Sequence, residues 1–180
     1  FIRNGHLHGA RAISALYRPV PQDALANGAA CLCARCGSLL WPVSDPAFPN
    51  GRCRVRQCAI RGDTRVGEVI LDPSLHRLAT AAVLAFWVGP GLDEIELYDS
   101  LRKSELSVEL YPMADAADVG VGGLEVGIDV KSYASPLVLG ARLSRGLGRL
   151  TIFKRRLIVV PEYKLKLNGR YLDDLAASYV

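Results

Sequence analysis

Hydrophobic positions change period along the chain, and each change marks a different element. Residues 78–88 (LATAAVLAFWV) form the longest apolar run, well short of the roughly 20 residues that span a bilayer. Asp72-Pro73-Ser74 precedes it, with Pro73 suited to a first helical turn, and Gly89-Pro90-Gly91 follows it. The stretch therefore predicts a buried core helix ending at those glycines. Leu92–Lys103 carries a partial helical stripe and predicts a second helix. From Glu105 the period shortens to two: Leu106, Val108 and Leu110 alternate with Ser107 and Glu109, a half-buried strand closed by Tyr111-Pro112. Residues 118–121 predict a second short strand, Gly122-Gly123 a tight turn and residues 124–133 (LEVGIDVKSY) a third strand, so the three form a meander. Beyond it, Ser135-Pro136 opens a helix over 137–147, residues 155–160 read as a buried strand ended by Pro161, and residues 171–179 as a closing helix.

Before residue 61 the pattern is set by cysteine. Five cysteines, Cys31, Cys33, Cys36, Cys53 and Cys58, fall within 28 residues and none elsewhere. Clustering of this kind in a chain without a secretory signal argues for a bound metal rather than scattered disulfides. Cys33/Cys36 is a C-x-x-C and Cys53/Cys58 a C-x4-C, and two such pairs can converge on a tetrahedral Zn2+ because thiolates are soft ligands. Gly37 suits the knuckle after the first pair, while Trp41-Pro42, Asp45-Pro46 and Pro49-Asn50-Gly51 supply turns instead of a helix. Cys31 competes with Cys33 as a ligand, and free or disulfide-bonded cysteines are the bland alternative. Three regions follow: an N-terminal segment over 1–30, a zinc-ribbon-like four-cysteine module over 31–60, and a larger domain over 61–180. His6 and His8 form an H-x-H that reads as incidental.

Composition adds a weak lean toward nucleic acid. Half of the 180 residues are hydrophobic, as in an ordinary globular protein, and the net charge is +4. Arginine supplies 17 of the 22 basic residues, and its planar fork suits phosphate, although coding bias gives the same excess. Arg54 and Arg56, in or beside the cysteine module, are candidate backbone contacts, with a plain solvated face as the competing reading. No charged segment followed by an apolar one opens the chain, which makes the cytoplasm the expected location. The first residue is Phe, so a piece of a longer polypeptide is expected.

Chemistry concentrates in the meander. Side chains alternate across a strand, so Asp129 and Lys131 share one face while Ile128 and Val130 point to the core. If the Gly122-Gly123 turn pairs the two strands, the carboxylate of Asp118 approaches that of Asp129. Two converging carboxylates suit a hard divalent cation such as Mg2+ or Mn2+, and Lys131 can orient water and offset charge developing on a phosphate. The competing reading is an ordinary Asp129–Lys131 salt bridge on an exposed sheet face. A dinucleotide-binding loop at Gly120, Gly122, Gly123 and Gly127 is excluded, because no helix N-terminus follows the glycines.

Asp118, followed eleven positions later by Asp129-Val130-Lys131, resembles the motif of PD-(D/E)xK nucleases, the restriction-endonuclease-like superfamily. The string from Gly127 to Pro136 (GIDVKSYASP) resembles in particular the nucleases associated with prokaryotic PIWI-like (pPIWI-RE) defence proteins. Two departures stand beside the match: no Pro precedes Asp118, and D-x-K is a short motif. The resemblance covers roughly residues 72–160. It implies an α/β fold, a mixed sheet flanked by helices in the order helix, three strands, helix, strand, here preceded by the zinc-ribbon-like module. It further implies a Mg-dependent endonuclease acting on DNA in defence, working as a homodimer or as a subunit beside a PIWI-like protein. The family's helical acid falls on Glu96, with Glu94 and Glu109 as competitors, and Arg142 and Arg145 on the following helix are placed to meet a phosphate. The rival function is a non-catalytic nucleic-acid-binding or adaptor subunit built on an inactive nuclease scaffold.

Overall fold

The computed structural model describes residues 7–42, 52–62, 65–104 and 106–179. His6 and the turns expected at Asp45-Pro46 and Pro49-Asn50-Gly51 lie outside the described residues. The chain separates into two compact units, Phe1–Gly89 and Pro90–Val180.

The first unit contains helix α1 (Leu7–Ala15) and strands β1 (Tyr17–Pro19), β2 (Ala30–Cys33), β3 (Leu40–Trp41) and β4 (Arg52–Cys53). Helix α2 (Arg56–Ile60), strands β5 (Val66–Ile70) and β6 (Arg77–Ala79), helix α3 (Ala81–Val83) and a π turn at Leu84–Val88 complete it. Its strands pair antiparallel in three short ladders, β1 with β6, β2 with β5 and β3 with β4. A small core of Ala24, Ala30, Leu39, Ile70 and Leu78 lies among them. The module boundary expected at residue 60 falls inside this unit, because β2 takes its partner from residues 66–70.

The helix expected to run from Pro73 to Val88 is not what forms. Asp72 does cap a turn, accepting from Ser74 N at 3.1 Å, but that turn is a single 3-10 turn over Pro73–Leu75 and His76 is already extended. Arg77–Ala79 then pairs with Tyr17–Pro19. A partner some sixty residues away overrides a local helical pattern, as tertiary pairing commonly does. Helix begins only at Ala81, and Phe86 and Trp87, at 77% and 69% exposed, are surface residues rather than core. Gly89-Pro90-Gly91 does not end it: Gly89 is right-handed helical, its N–H donates to Leu84 O across the π turn, and helical backbone continues through Pro90.

The second unit follows the expected order closely. Helix α4 (Gly89–Arg102) leads into β7 (Val108–Leu110), a single turn α5 (Pro112–Asp115), β8 (Val119–Val121) and β9 (Val126–Val130). Then come α6 (Pro136–Leu143), a 3-10 turn at Gly148–Ile152, β10 (Arg155–Val159), α7 (Glu162–Leu167) and α8 (Tyr171–Ser178). The sheet runs β10-β9-β8-β7, an antiparallel meander with β10 added parallel to β9 through the α6 crossover. This is a mixed α/β sheet with helices in the connections. Ser135 caps α6 by accepting from Val138 N at 3.4 Å, and Pro136 follows in the first turn.

Alternation sorts the strand residues as expected: Val119, Ile128 and Val130 are buried. On the other face lie Leu150 of the 3-10 turn and Phe153 just after it, which pack with Ala116 and Ala117. Gly127 is required there, because a Cβ would stand 2.4 Å from the Phe153 ring. Three elements carry no sequence signal, the single turn α5, the six-residue α7 and that 3-10 turn, all too short for a period to show.

Candidate active site and thiol cluster

The register of β8 and β9 places the candidate residues. Val119 stands opposite Ile128, so Asp118, one residue earlier, falls opposite Asp129, and residues directly opposed across an antiparallel pair share a face. Asp118 Oδ2 accepts from Val130 N at 2.6 Å, tying the acid to the neighbouring strand. Lys131 Nζ lies 3.0 Å from Asp129 Oδ2 and 3.7 Å from Asp118 Oδ2. The three side chains expected to meet therefore do meet. Burial pushes the Asp118 carboxyl above its ordinary range, with the Lys131 ammonium and the Val130 amide pulling in the other direction.

The acid that joins them from α4 is Glu94. It is half-buried, its carboxyl is raised mainly by burial, and it feels the charges of Asp118 and Lys131. Glu96, the assigned helical acid, is exposed. Two residues along a helix turn the side chain by about 200°, so the two acids point different ways, and the one whose charge couples to Asp118 and Lys131 is Glu94. Glu109, the third candidate, is exposed on β7. Tyr111 OH donates to Glu94 Oε2 at 2.7 Å, and both burial and that bond hold the phenol well above its usual range. Three carboxylates thus face one ammonium, an excess of negative charge that suits a hard cation.

Two further features had no sequence signal. Asp93, 5% exposed, accepts from Ser132 Oγ at 2.5 Å and from Tyr163 OH at 3.1 Å, anchoring the residue next to Lys131. In the acidic run LDEIE it reads as one more solvated helix residue. Asp93→Ala leaves both hydroxyls without this acceptor and is expected to destabilise the fold by about 1–3 kcal/mol for each; an unchanged urea midpoint would contradict the anchoring. The second feature is the connection from β7 to β8. Tyr111, Met113, Ala114 and Asp115 all have left-handed backbone, with φ of 53°, 53°, 55° and 66°. Each such L-residue costs roughly 1–2 kcal/mol, and of the four only Asp115 is of a type that adopts this backbone with some ease.

The thiols of Cys33, Cys36, Cys53 and Cys58 lie within 4.8 Å of one another. Cys33 ends β2, Cys36 sits in the turn completed by left-handed Gly37, Cys53 is in β4 and Cys58 in α2. Sulfur–sulfur separations are 3.6 Å for Cys33–Cys58 and 3.3 Å for Cys36–Cys53, close to the roughly 3.8 Å edge that four thiolates 2.3 Å from a zinc ion describe. Hydrogen bonding from Cys53 draws the Cys36 thiol down to about 5, while burial and the neighbouring sulfurs raise Cys58 to about 12. One thiolate forms readily, while Cys53 and Cys58 resist further negative charge, which a divalent cation at the centre relieves. These four residues could hold zinc. Cys31, buried elsewhere in β2, is not one of the set.

The basic candidates divide. Arg54 is half-buried with its guanidinium 4.3 Å above the Trp41 ring, and burial lowers its pKa; its stacking on Trp41 corrects the reading as an open phosphate contact. Arg56 is exposed, as are Arg142, in the last turn of α6, and Arg145 just beyond it.

Residues 91–179, just under half of the chain and nearly all of the second unit, match the family model described as "REase associating with pPIWI_RE". The match links this unit to restriction-endonuclease-like proteins. No curated protein and no solved structure gives a match. Among the described residues, no helix is long and apolar enough to cross a membrane.

Proposed function

We propose that the second unit is a metal-dependent DNA endonuclease of the PD-(D/E)xK type, acting in prokaryotic defence in the cytoplasm beside a PIWI-like partner or as a homodimer. The observation that carries the reading is the convergence of Lys131 with Asp118 and Asp129 on one sheet face, within the stretch that matches the family. Asp118, Asp129 and Glu94 are the oxygen ligands for Mg2+ or Mn2+. When bound, the ion supplies a Lewis acid and an activated water. Lys131 holds positive charge where phosphate oxygens gain negative charge, and its ammonium is kept in place by both acids. Tyr111 orients the Glu94 carboxylate. Arg142 and Arg145 take phosphates of the DNA backbone, and the four thiols hold a structural zinc.

The test is cleavage of linear and supercoiled DNA with Mg2+ or Mn2+ by the wild type, Asp129→Asn and Lys131→Ala. Cleavage that persists in both variants overturns the assignment. The adaptor reading rests on one feature, the 3.0 Å Lys131–Asp129 ion pair, which is also what a plain surface bridge looks like. It predicts DNA binding with no cleavage under any divalent ion.

The raised carboxyls give a pH prediction. Asp118 and Glu94 must be ionised to bind a cation, and both sit above the ordinary carboxylate range of about 4. Acidification is expected to weaken Mn2+ binding already above that range, by about tenfold per pH unit for each acid being protonated. Calorimetric titration across mildly acidic to neutral pH checks this; affinity flat throughout would refute it. For the metal-free protein the sign is opposite. A folded-state pKa raised above the unfolded value contributes stability at low pH that is lost as pH rises through the folded value.

A further inference from the structure

We infer that Arg149 is a positioning residue for the candidate nuclease centre: its guanidinium holds the left-handed turn between β7 and β8 in the shape that sets Tyr111 against Glu94 and leads into Asp118. Arg149 Nη1 donates to Ala114 O at 2.7 Å and Nη2 donates to Met113 O at 2.6 Å. Both arms of one fork are thus spent on two successive carbonyls of the strained segment, a geometry that a single ammonium cannot reproduce. Nothing apolar does this work instead, since Met113, Ala114 and Asp115 are exposed and only Pro112 is buried within the turn.

The turn's shape reaches the site by two bonds. Tyr111 N donates to Asp118 O at 3.0 Å, and Tyr111 OH donates to Glu94 Oε2 at 2.7 Å. Asp115, at the end of the turn, adds a charge that Asp118 and Glu94 both feel. If the turn relaxed to ordinary backbone, Tyr111 would leave Glu94 and the start of β8 would shift. Strained backbone held by surrounding structure is a recurring feature of working sites.

The inference rests on the nuclease reading for its catalytic consequence, but amide exchange and metal affinity test it independently. In Arg149→Ala, the amides of Asp115 and Ala116, which donate to Tyr111 O and Pro112 O, are expected to exchange at least about tenfold faster. Mn2+ affinity should fall about tenfold, as when supports behind a metal ligand are lost. Removing a cation would by Coulomb attraction alone tighten Mn2+ binding, so the sign separates positioning from charge. Arg149→Lys keeps the charge without the fork and should behave like Arg149→Ala. Adding Ala114→Gly to Arg149→Ala supplies a residue that adopts left-handed backbone without strain, and should restore most of the affinity and protection. Where the wild type cleaves DNA, Arg149→Ala should lower kcat and leave KM for DNA unchanged.

Wild-type exchange and Mn2+ affinity in Arg149→Ala overturn the inference, whatever the cleavage result. A rise in KM with unchanged exchange also overturns it and makes Arg149 a phosphate contact. If the wild type does not cleave while the exchange, affinity and glycine-rescue effects appear, the nuclease reading fails and the positioning role stands.

Discussion

Lys131→Ala is expected to lower DNA cleavage by about 10²–10³-fold, the usual cost of losing one preorganised charge or donor at a reacting phosphate or acyl centre, while leaving the fold intact. The side chains of Lys131, Asp118 and Asp129 are 24%, 16% and 19% exposed, and a partly exposed ion pair contributes at most about 1 kcal/mol. The variant also carries a signature that simple damage does not. Lys131 is the main charge holding the Asp118 carboxyl down against burial, so without it that carboxyl rises further and the acid limb of any residual activity moves to higher pH. At alkaline pH, where all the acids are ionised, removal of a competing ammonium leaves Mn2+ affinity equal to or above that of the wild type. Loss of cleavage with metal binding retained is the expected pair of results. Unchanged cleavage, or loss of both together with loss of fold, would count against Lys131 as the group beside the phosphate.

Removing the metal from the thiol cluster is the second large effect. Structural zinc contributes about 10–16 kcal/mol of apparent binding free energy in small zinc modules, comparable to the whole stability of a domain. Among its described residues, the first unit has short strands and a modest core to set against such a loss. Among the described residues, its core cluster is Ala24, Ala30, Leu39, Ile70 and Leu78 with Val20, Leu25, Leu32 and Trp41 packed against it, and its strands are two to five residues long. Units of that kind depend on a staple. Metal analysis after dialysis is expected to find about one zinc per chain, and a chelator or Cys58→Ser to abolish the cooperative folding of residues up to 89. The second unit, with its four-stranded sheet and separate core, should keep its protease resistance. Absence of zinc together with a melting profile indifferent to chelator would refute the structural-metal assignment.

The sequence was legible where a local rule governs and opaque where a distant partner decides. Period-two alternation at residues 106–110 and the β-branched stretch 124–133 predicted strands, and the face shared by Asp129 and Lys131 followed from the pleat alone. The C-x-x-C and C-x4-C pairs predicted convergence, and the four sulfurs converge; Cys31, which no spacing rule could exclude, is set apart by its place in β2. The run before Gly89 misled, because β6 owes its extended form to β1 and no window around Arg77–Ala79 contains that information. The acids of α4 were open in the same way: the helix offers several, and only its rotation against the sheet sets Glu94, and not Glu96, where it feels Asp118 and Lys131.

Sequence by itself determined the longer elements of the second unit, their order, the residue types at the candidate centre and the cysteine pairs, because each depends on neighbours within a few positions or on the chemistry of the side chain. Tertiary structure alone decided which acid of α4 joins Asp118, that Asp93 is buried beneath Ser132, that Arg54 stacks on Trp41, and that Arg149 grips a left-handed turn. Those outcomes depend on groups brought together from 13 to 70 positions apart, where pairing, burial and hydrogen-bond geometry outweigh every local preference.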